Sequence, residues 1–172
     1  MRSKPSKNLT GHGRKRVGSD EILPVTESIG YQIRMTHRVL QRYLQTKIEP
    51  HGVTLGMWYY LRTLWEEDGL TQRELSLRIE TMEPSTLAAI QVMERKGLVR
   101  RVRSLEDRRK LHVFLTPKGK ALKTKLLPLA RQVAEDATVA LSPSAIKALF
   151  HAVAEIRKQV KFKLTEAELD KS

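Results

Sequence analysis

The 172-residue chain contains no cysteine, which excludes disulfides, thiolate metal sites and a cysteine redox switch. No apolar run approaches the ~18 residues that a membrane-spanning helix needs. The basic N-terminus is followed by no apolar segment, so no signal peptide is expected and the expected location is the cytoplasm. A phosphate-binding glycine loop and a nucleophile motif are also missing. The histidines at His12, His37, His51, His112 and His151 show no spacing suited to a metal. The acidic run Glu66-Glu67-Asp68 is the nearest approach to a magnesium site, as a nuclease would need. Three consecutive acids at a helix end point in different directions, so the run reads as a solvated helix end. Neither metal nor cofactor is expected, and a nucleic-acid enzyme is the weakest reading of the chain.

Positive charge, by contrast, is abundant. Lys and Arg number 32 against 19 Asp and Glu, a formal net charge of +13. Such an imbalance favours a polyanionic partner and is silent about fold. The cations cluster: Arg95, Lys96, Arg100, Arg101, Arg103, Arg108, Arg109 and Lys110 face only Glu106 and Asp107 in that segment. Several of them crowd the turn of "SLEDRRKLHVFLTPKGKAL" (Ser104 to Leu122), where a soluble turn has no need of three adjacent cations.

Around that turn the pattern is mostly helical. Residues 1–21 are basic and poor in aliphatics, which predicts a disordered arm. Ile29, Ile33, Leu40 and Leu44 fall near helical spacing over about Val25 to Lys47. "EPHGVT" interrupts, and Thr54 caps a second helix carrying Trp58, Leu61 and Trp65 on one stripe. "LTQREL" reads as a capping box, Thr71 with Glu74, stapled by Leu70 and Leu75. That helix ends near Ile79; a turn over Glu80 to Met82 leads to Pro84 at the first position of a helix that closes at Gly97. Two short helices joined by a tight turn predict a helix-turn-helix. Two strands follow, Leu98 to Arg103 and Lys110 to Leu115, with Leu111, Val113 and Leu115 on one face. Thr116 and Pro117 open a long helix that Pro128 should kink or break. Ser142-Pro143 starts another, with Ile146, Leu149, Phe150, Val153, Ile156 and Val160 on one stripe and little chain left to cover it. An acidic tail from about Thr165 is expected to fray.

A helix-turn-helix followed by a basic two-stranded hairpin is a winged helix. The segments "LTQREL", "MERKGLV" and Ser104 to Arg109 leading to "LTPKG" resemble the MarR family of bacterial transcription regulators. The resemblance extends over roughly Ile22 to Lys163. It implies a mostly α fold with a small β-hairpin wing. The winged helix at about 54–116 would lie between dimerisation helices at about 25–48 and 117–164, the whole domain spanning 22–164 before a tail at 165–172. It also implies an obligate homodimer on a pseudopalindromic double-stranded DNA operator, repressing or activating transcription.

On a helical wheel of the second helix of the pair, Thr86, Ala89, Ile90 and Met93 face the core. Pro84, Ala88, Gln91 and Arg95 face outward, flanked by Ser85 and Leu87. This small-residue face suits close entry into a major groove. There Gln91 could read adenine, Ser85 a base or phosphate, and Leu87 a thymine methyl. The chain departs from the family in carrying Leu87-Ala88 where Thr-Arg is frequent, which removes an arginine that would read guanine. In the wing, the resemblance assigns minor-groove entry to Arg109 and a bracing role to Asp107. A narrow minor groove concentrates negative potential, which an arginine on a hairpin tip exploits. Arg103, Arg108 and Lys110 would hold phosphates. The family usually senses small molecules, commonly aromatic or phenolic acids or their CoA thioesters. Arg34, His37 and Arg38 with Trp58 and Tyr59 would suit an aromatic anion. A ligand-independent architectural DNA-binding protein is the alternative.

Overall fold

The structure, a computed structural model, describes residues 24–104, 107 and 110–170; the expected basic arm lies outside the described residues, as do Arg108 and Arg109. The chain divides into two compact units, the first ending at His37 and the second running from Arg38. In the first, a 3-10 turn at Val25–Glu27 precedes the start of helix α1, Ile29–Ile48. Ser28 Oγ accepts the Tyr31 N–H (3.4 Å) there, and Gln32 Nε2 donates to the Thr26 carbonyl.

The second unit holds the winged helix. Thr54 caps α2, Leu55–Glu66, by accepting the Met57 N–H. Its apolar stripe is buried, with Leu61 and Leu64 at or near zero exposure, and Trp58 meets Trp65 edge-on at 5.8 Å. The Trp65 indole N–H donates to the Gly119 carbonyl at 3.0 Å, so the ring ties α2 to the start of the helix that follows the wing.

Strand β1, Leu70–Thr71, is an element that the sequence pattern did not announce. It pairs antiparallel with β3, Leu111–Leu115, which also pairs antiparallel with β2, Val99–Arg103, giving the order β1-β3-β2. The wing is therefore anchored by a third strand rather than being a free hairpin. Thr71 then caps α3, Gln72–Arg78, in a full capping box: its hydroxyl accepts the Glu74 N–H, and Glu74 accepts the Thr71 N–H at 2.7 Å. The staple residues Leu70 and Leu75 are both buried.

Helix α4, Glu83–Arg95, starts one residue before Pro84, so the proline occupies the second helical position rather than the expected first. Its end is a Schellman closure: the Leu98 N–H donates to the Met93 carbonyl and the Gly97 N–H to that of Glu94, with Gly97 left-handed at φ 68°. Helix α5, Pro117–Thr138, is capped by Thr116 and continues across Pro128, which has no N–H to give the ladder but does not end the helix. Gly119 is required near its start, because a Cβ there would lie 2.1 Å from the Leu98 carbonyl oxygen. Helix α6, Pro143–Leu169, is bent 105° from α5. It continues past the point where the acidic tail was expected to fray; the Lys163–Glu166 pair lies one turn apart on that stretch. Among the described residues, no single helix is long and apolar enough to cross a membrane.

Candidate nucleic-acid interface

The core sorts the faces of α4. Thr86, Ile90 and Met93 are fully buried and Ala89 packs against them, while Pro84, Ser85, Leu87, Ala88, Gln91 and Arg95 are exposed. The outward face is thus made of the residues expected to meet bases, small near the N-terminus and longer toward Arg95. Leu87, 38 % exposed, sits at its margin.

Beside it, the wing is held by three contacts. Arg101 on β2 grips Glu94 on α4, with Nε 2.9 Å from one carboxylate oxygen and its backbone N–H 3.2 Å from the other. That guanidinium holds the Glu94 carboxyl below the usual glutamate range, outweighing the opposing effect of desolvation with help from the Arg101 backbone bond. Asp68 forms the second. Its carboxylate accepts the Leu115 N–H at 2.8 Å and the Gly69 N–H at 3.1 Å, and lies 3.3 Å from Lys120 Nζ. The third is the hairpin neck, where the Ser104 N–H donates to the Lys110 carbonyl at 3.0 Å.

Sequence reasoning missed the first two. Glu94 and Arg101 are seven residues apart and meet only because Gly97 turns the chain back. Asp68 belongs to the acidic run read as a solvated helix end; Glu66 and Glu67 fit that reading, pairing with Arg62 and Arg78 at the surface. Asp68 instead pins β3.

Of the residues expected in the wing, Arg103 and Lys110 are exposed at the outer ends of the strands. Asp107 is half-buried. Its N–H donates to Ser104 Oγ at 3.2 Å and its carbonyl accepts the Lys110 N–H at 2.9 Å, both within the turn. His112 Nδ1 lies 2.7 Å from the Gly69 carbonyl, on the side of the sheet where α3 begins. The capping box also lowers the Glu74 carboxyl, chiefly through the Thr71 N–H and hydroxyl.

The residues expected to bind an aromatic anion divide between the two units. Arg34 and His37 belong to the first unit and Arg38, Trp58 and Tyr59 to the second. Trp58 is a core residue, 4 % exposed, with Arg62 stacked 5.5 Å over its ring. Tyr59 is exposed and its hydroxyl accepts from Gln41 at 2.9 Å. Within the second unit, a cavity of about 490 Å³ opens beside these rings, lined also by Arg62, Arg78, Glu80 and Arg157. The cations at this cavity come from α2, α3 and α6. Among the described residues, no three His, Asp or Glu gather as a metal site would require.

The family model for MarR matches residues 53–111, from the α2 cap to the first residue of β3. A MarR transcriptional regulator from Methanosarcina mazei Go1 is 31% identical in sequence, and the superposition covers 78% of this chain and 97% of that one at a TM-score of 0.71. The chain is 27% identical over 111 residues to the HTH-type transcriptional regulator TtmR of Methylorubrum extorquens (strain PA1), covering 64% of this chain and 57% of that protein. It is 29% identical over 96 residues to the homoprotocatechuate degradative operon repressor of Escherichia coli, covering 56% of this chain and 65% of the repressor. The matches thus span less than two thirds of these curated relatives, which are regulators rather than enzymes. With its order of elements, braced wing and family-model match, the chain belongs to the MarR family.

Proposed function

We propose that the protein is a homodimeric, sequence-specific DNA-binding transcriptional repressor. Helix α4 would read a major groove, the wing an adjacent minor groove, and an aromatic acid or its CoA thioester would release the operator. The observation that carries this reading is the pairing of an exposed small-residue face on α4 with a basic wing fixed to the same helix by Glu94 and Arg101. A rigid link between base-reading helix and phosphate-gripping wing suits recognition of a duplex with fixed groove spacing. Such a protein works where the DNA is, in the cytoplasm.

The dimer is supported by α6. No residue of this 27-residue helix is buried, and Leu149, Phe150 and Val160 are 49%, 71% and 53% exposed. Ile146, Leu149, Val153, Ile156 and Val160 recur at three- and four-residue steps, the spacing of a helix seam that packs against another helix. A second copy is the occupant proposed for this stripe. The effector reading is supported by aromatic rings beside guanidinium groups in the α2 cavity, and by likeness to a repressor whose name ties it to homoprotocatechuate degradation.

The test is selection of duplexes from a random library by the purified protein, followed by titration of the enriched duplex with benzoate, hydroxybenzoates, phenylacetate and their CoA thioesters. The reading expects an enriched pseudopalindrome with half-sites about one helical turn apart, roughly 34 Å. It also expects weaker binding with at least one of these compounds. Failure to enrich any sequence would overturn the repressor. Enrichment without an effect of any compound would overturn the effector and favour the ligand-independent alternative.

A further inference from the structure

Among the described residues, Ser76 and Thr86 are the buried polar side chains of an otherwise apolar core, at 4% and 0% exposure. They are joined by a third hydroxyl. Tyr60 of α2, itself 5% exposed, places its phenol oxygen 3.2 Å from Thr86 Oγ1 of α4. Thr86 Oγ1 lies 2.8 Å from Ser76 Oγ of α3, which lies 2.9 Å from the Gln72 carbonyl.

Thr86 Oγ1 is the shared acceptor: Tyr60 donates to it from α2 and Ser76 from α3. Ser76 has a single hydrogen to donate, which lies within reach of both Thr86 Oγ1 and the Gln72 carbonyl. No buried polar side-chain atom is left without a partner among the described residues. The three hydroxyls join α2, α3 and α4, and Thr86 lies on the buried side of α4, opposite its exposed face.

Apolar packing by Ile90 and Met93 holds α4 against the core but tolerates small rotations and slides, because dispersion contacts have little directionality. Hydrogen bonds do not tolerate them. We infer that Tyr60, Ser76 and Thr86 are positioning residues that set the rotation of the reading helix and so its discrimination between DNA sequences. The inference rests on the proposed reading of DNA by α4.

A purely structural role and a positioning role differ in what is lost. Replacing all members of a buried hydrogen-bonded set by apolar groups of similar shape is close to neutral for stability. Thus Tyr60→Phe/Ser76→Ala/Thr86→Val should unfold at a denaturant midpoint near that of the wild type. Its affinity for a scrambled duplex should also be unchanged, since phosphate contacts are indifferent to a slight rotation. Its affinity for the duplex that the wild-type protein enriches from a random library should fall on the order of tenfold, the scale of coupling through residues that do not touch the ligand.

The experiment measures both affinities and the unfolding midpoint for the wild type, the triple variant, Tyr60→Phe and Thr86→Ser. Thr86→Ser keeps every hydroxyl and should retain discrimination, while Tyr60→Phe should lose part of it. If the triple variant does not fold, that single-variant pair decides the matter. Unchanged discrimination in the triple variant, or equal discrimination by Tyr60→Phe and Thr86→Ser, overturns the inference while leaving the repressor standing. A wild-type protein that enriches no duplex overturns both.

Discussion

Single residues in the wing separate a built reading device from a merely cationic turn. Asp107 carries the only negative charge in the run Asp107 to Lys110. Simple electrostatics predicts tighter DNA binding when it is removed, whereas a turn that depends on it predicts weaker binding. We expect Asp107→Ala to weaken binding to an enriched duplex in a direct titration; tighter binding would remove the wing from the account. Arg109→Ala should weaken A/T-rich wing sites most, because the lost contact senses groove width. Arg108→Ala should weaken all sequences evenly, as loss of a phosphate contact does. At Glu94 the sign of a pH effect follows from its lowered pKa. A carboxyl depressed in the folded state stabilises fully above its unfolded value of ~4.3 and loses that contribution as pH falls through the folded value. The Glu94–Arg101 pair is about a third exposed, so solvent screening limits the contribution to roughly 0.5–1 kcal/mol. Chemical unfolding should show Glu94→Gln less stable than wild type at neutral pH and level with it in acid. A gap independent of pH would contradict the brace. These residues also mark what the sequence could show. The outward face of α4 was legible because a 100° wheel needs only local spacing. The Glu94 and Asp68 contacts were not, because each depends on a return of the chain that spacing does not encode.

At the scale of elements, local signals were the readable ones. The capping box at Thr71 and Glu74 announced α3, and Thr54, Thr116 and Ser142 each announced a helix start that the structure caps as expected. Thr71→Ala should therefore cost ~1 kcal/mol of stability, read as a lowered unfolding midpoint; a neutral result would deny the box its role. Strand β1 went unseen because two residues have no period; it exists through its pairing with Val113 and His112. Pro128 removes a donor from α5 without ending it; Leu126 and Val133 are buried on either side, and the helix is continuous across it. Helix α6 carries its own prediction. Leu149→Glu combined with Ile156→Glu would bury unpaired charge in the proposed seam, so sedimentation should report monomer or unfolded chain. A stable dimer at micromolar concentration would assign the interface elsewhere.

For the whole molecule, a charge of +13 favours any polyanion, and in the proposed function the α4 face and the wing would select among duplexes. Fold class was legible from the order of elements and the wing motif. The arginine-lined cavity was not, since Arg62, Arg78 and Arg157 come from three separate helices. The most direct measurement of the central claim is the affinity of the wild-type protein for its enriched duplex and for a scrambled one of equal length, across a salt series. If a dimer neutralises on the order of 6–10 phosphates, both affinities should fall by ~10³–10⁵ between 50 and 200 mM salt. The enriched duplex should stay ahead by at least ~10³ throughout, with two chains bound per pseudopalindrome. Equal affinity for the two duplexes at every salt concentration would contradict the account.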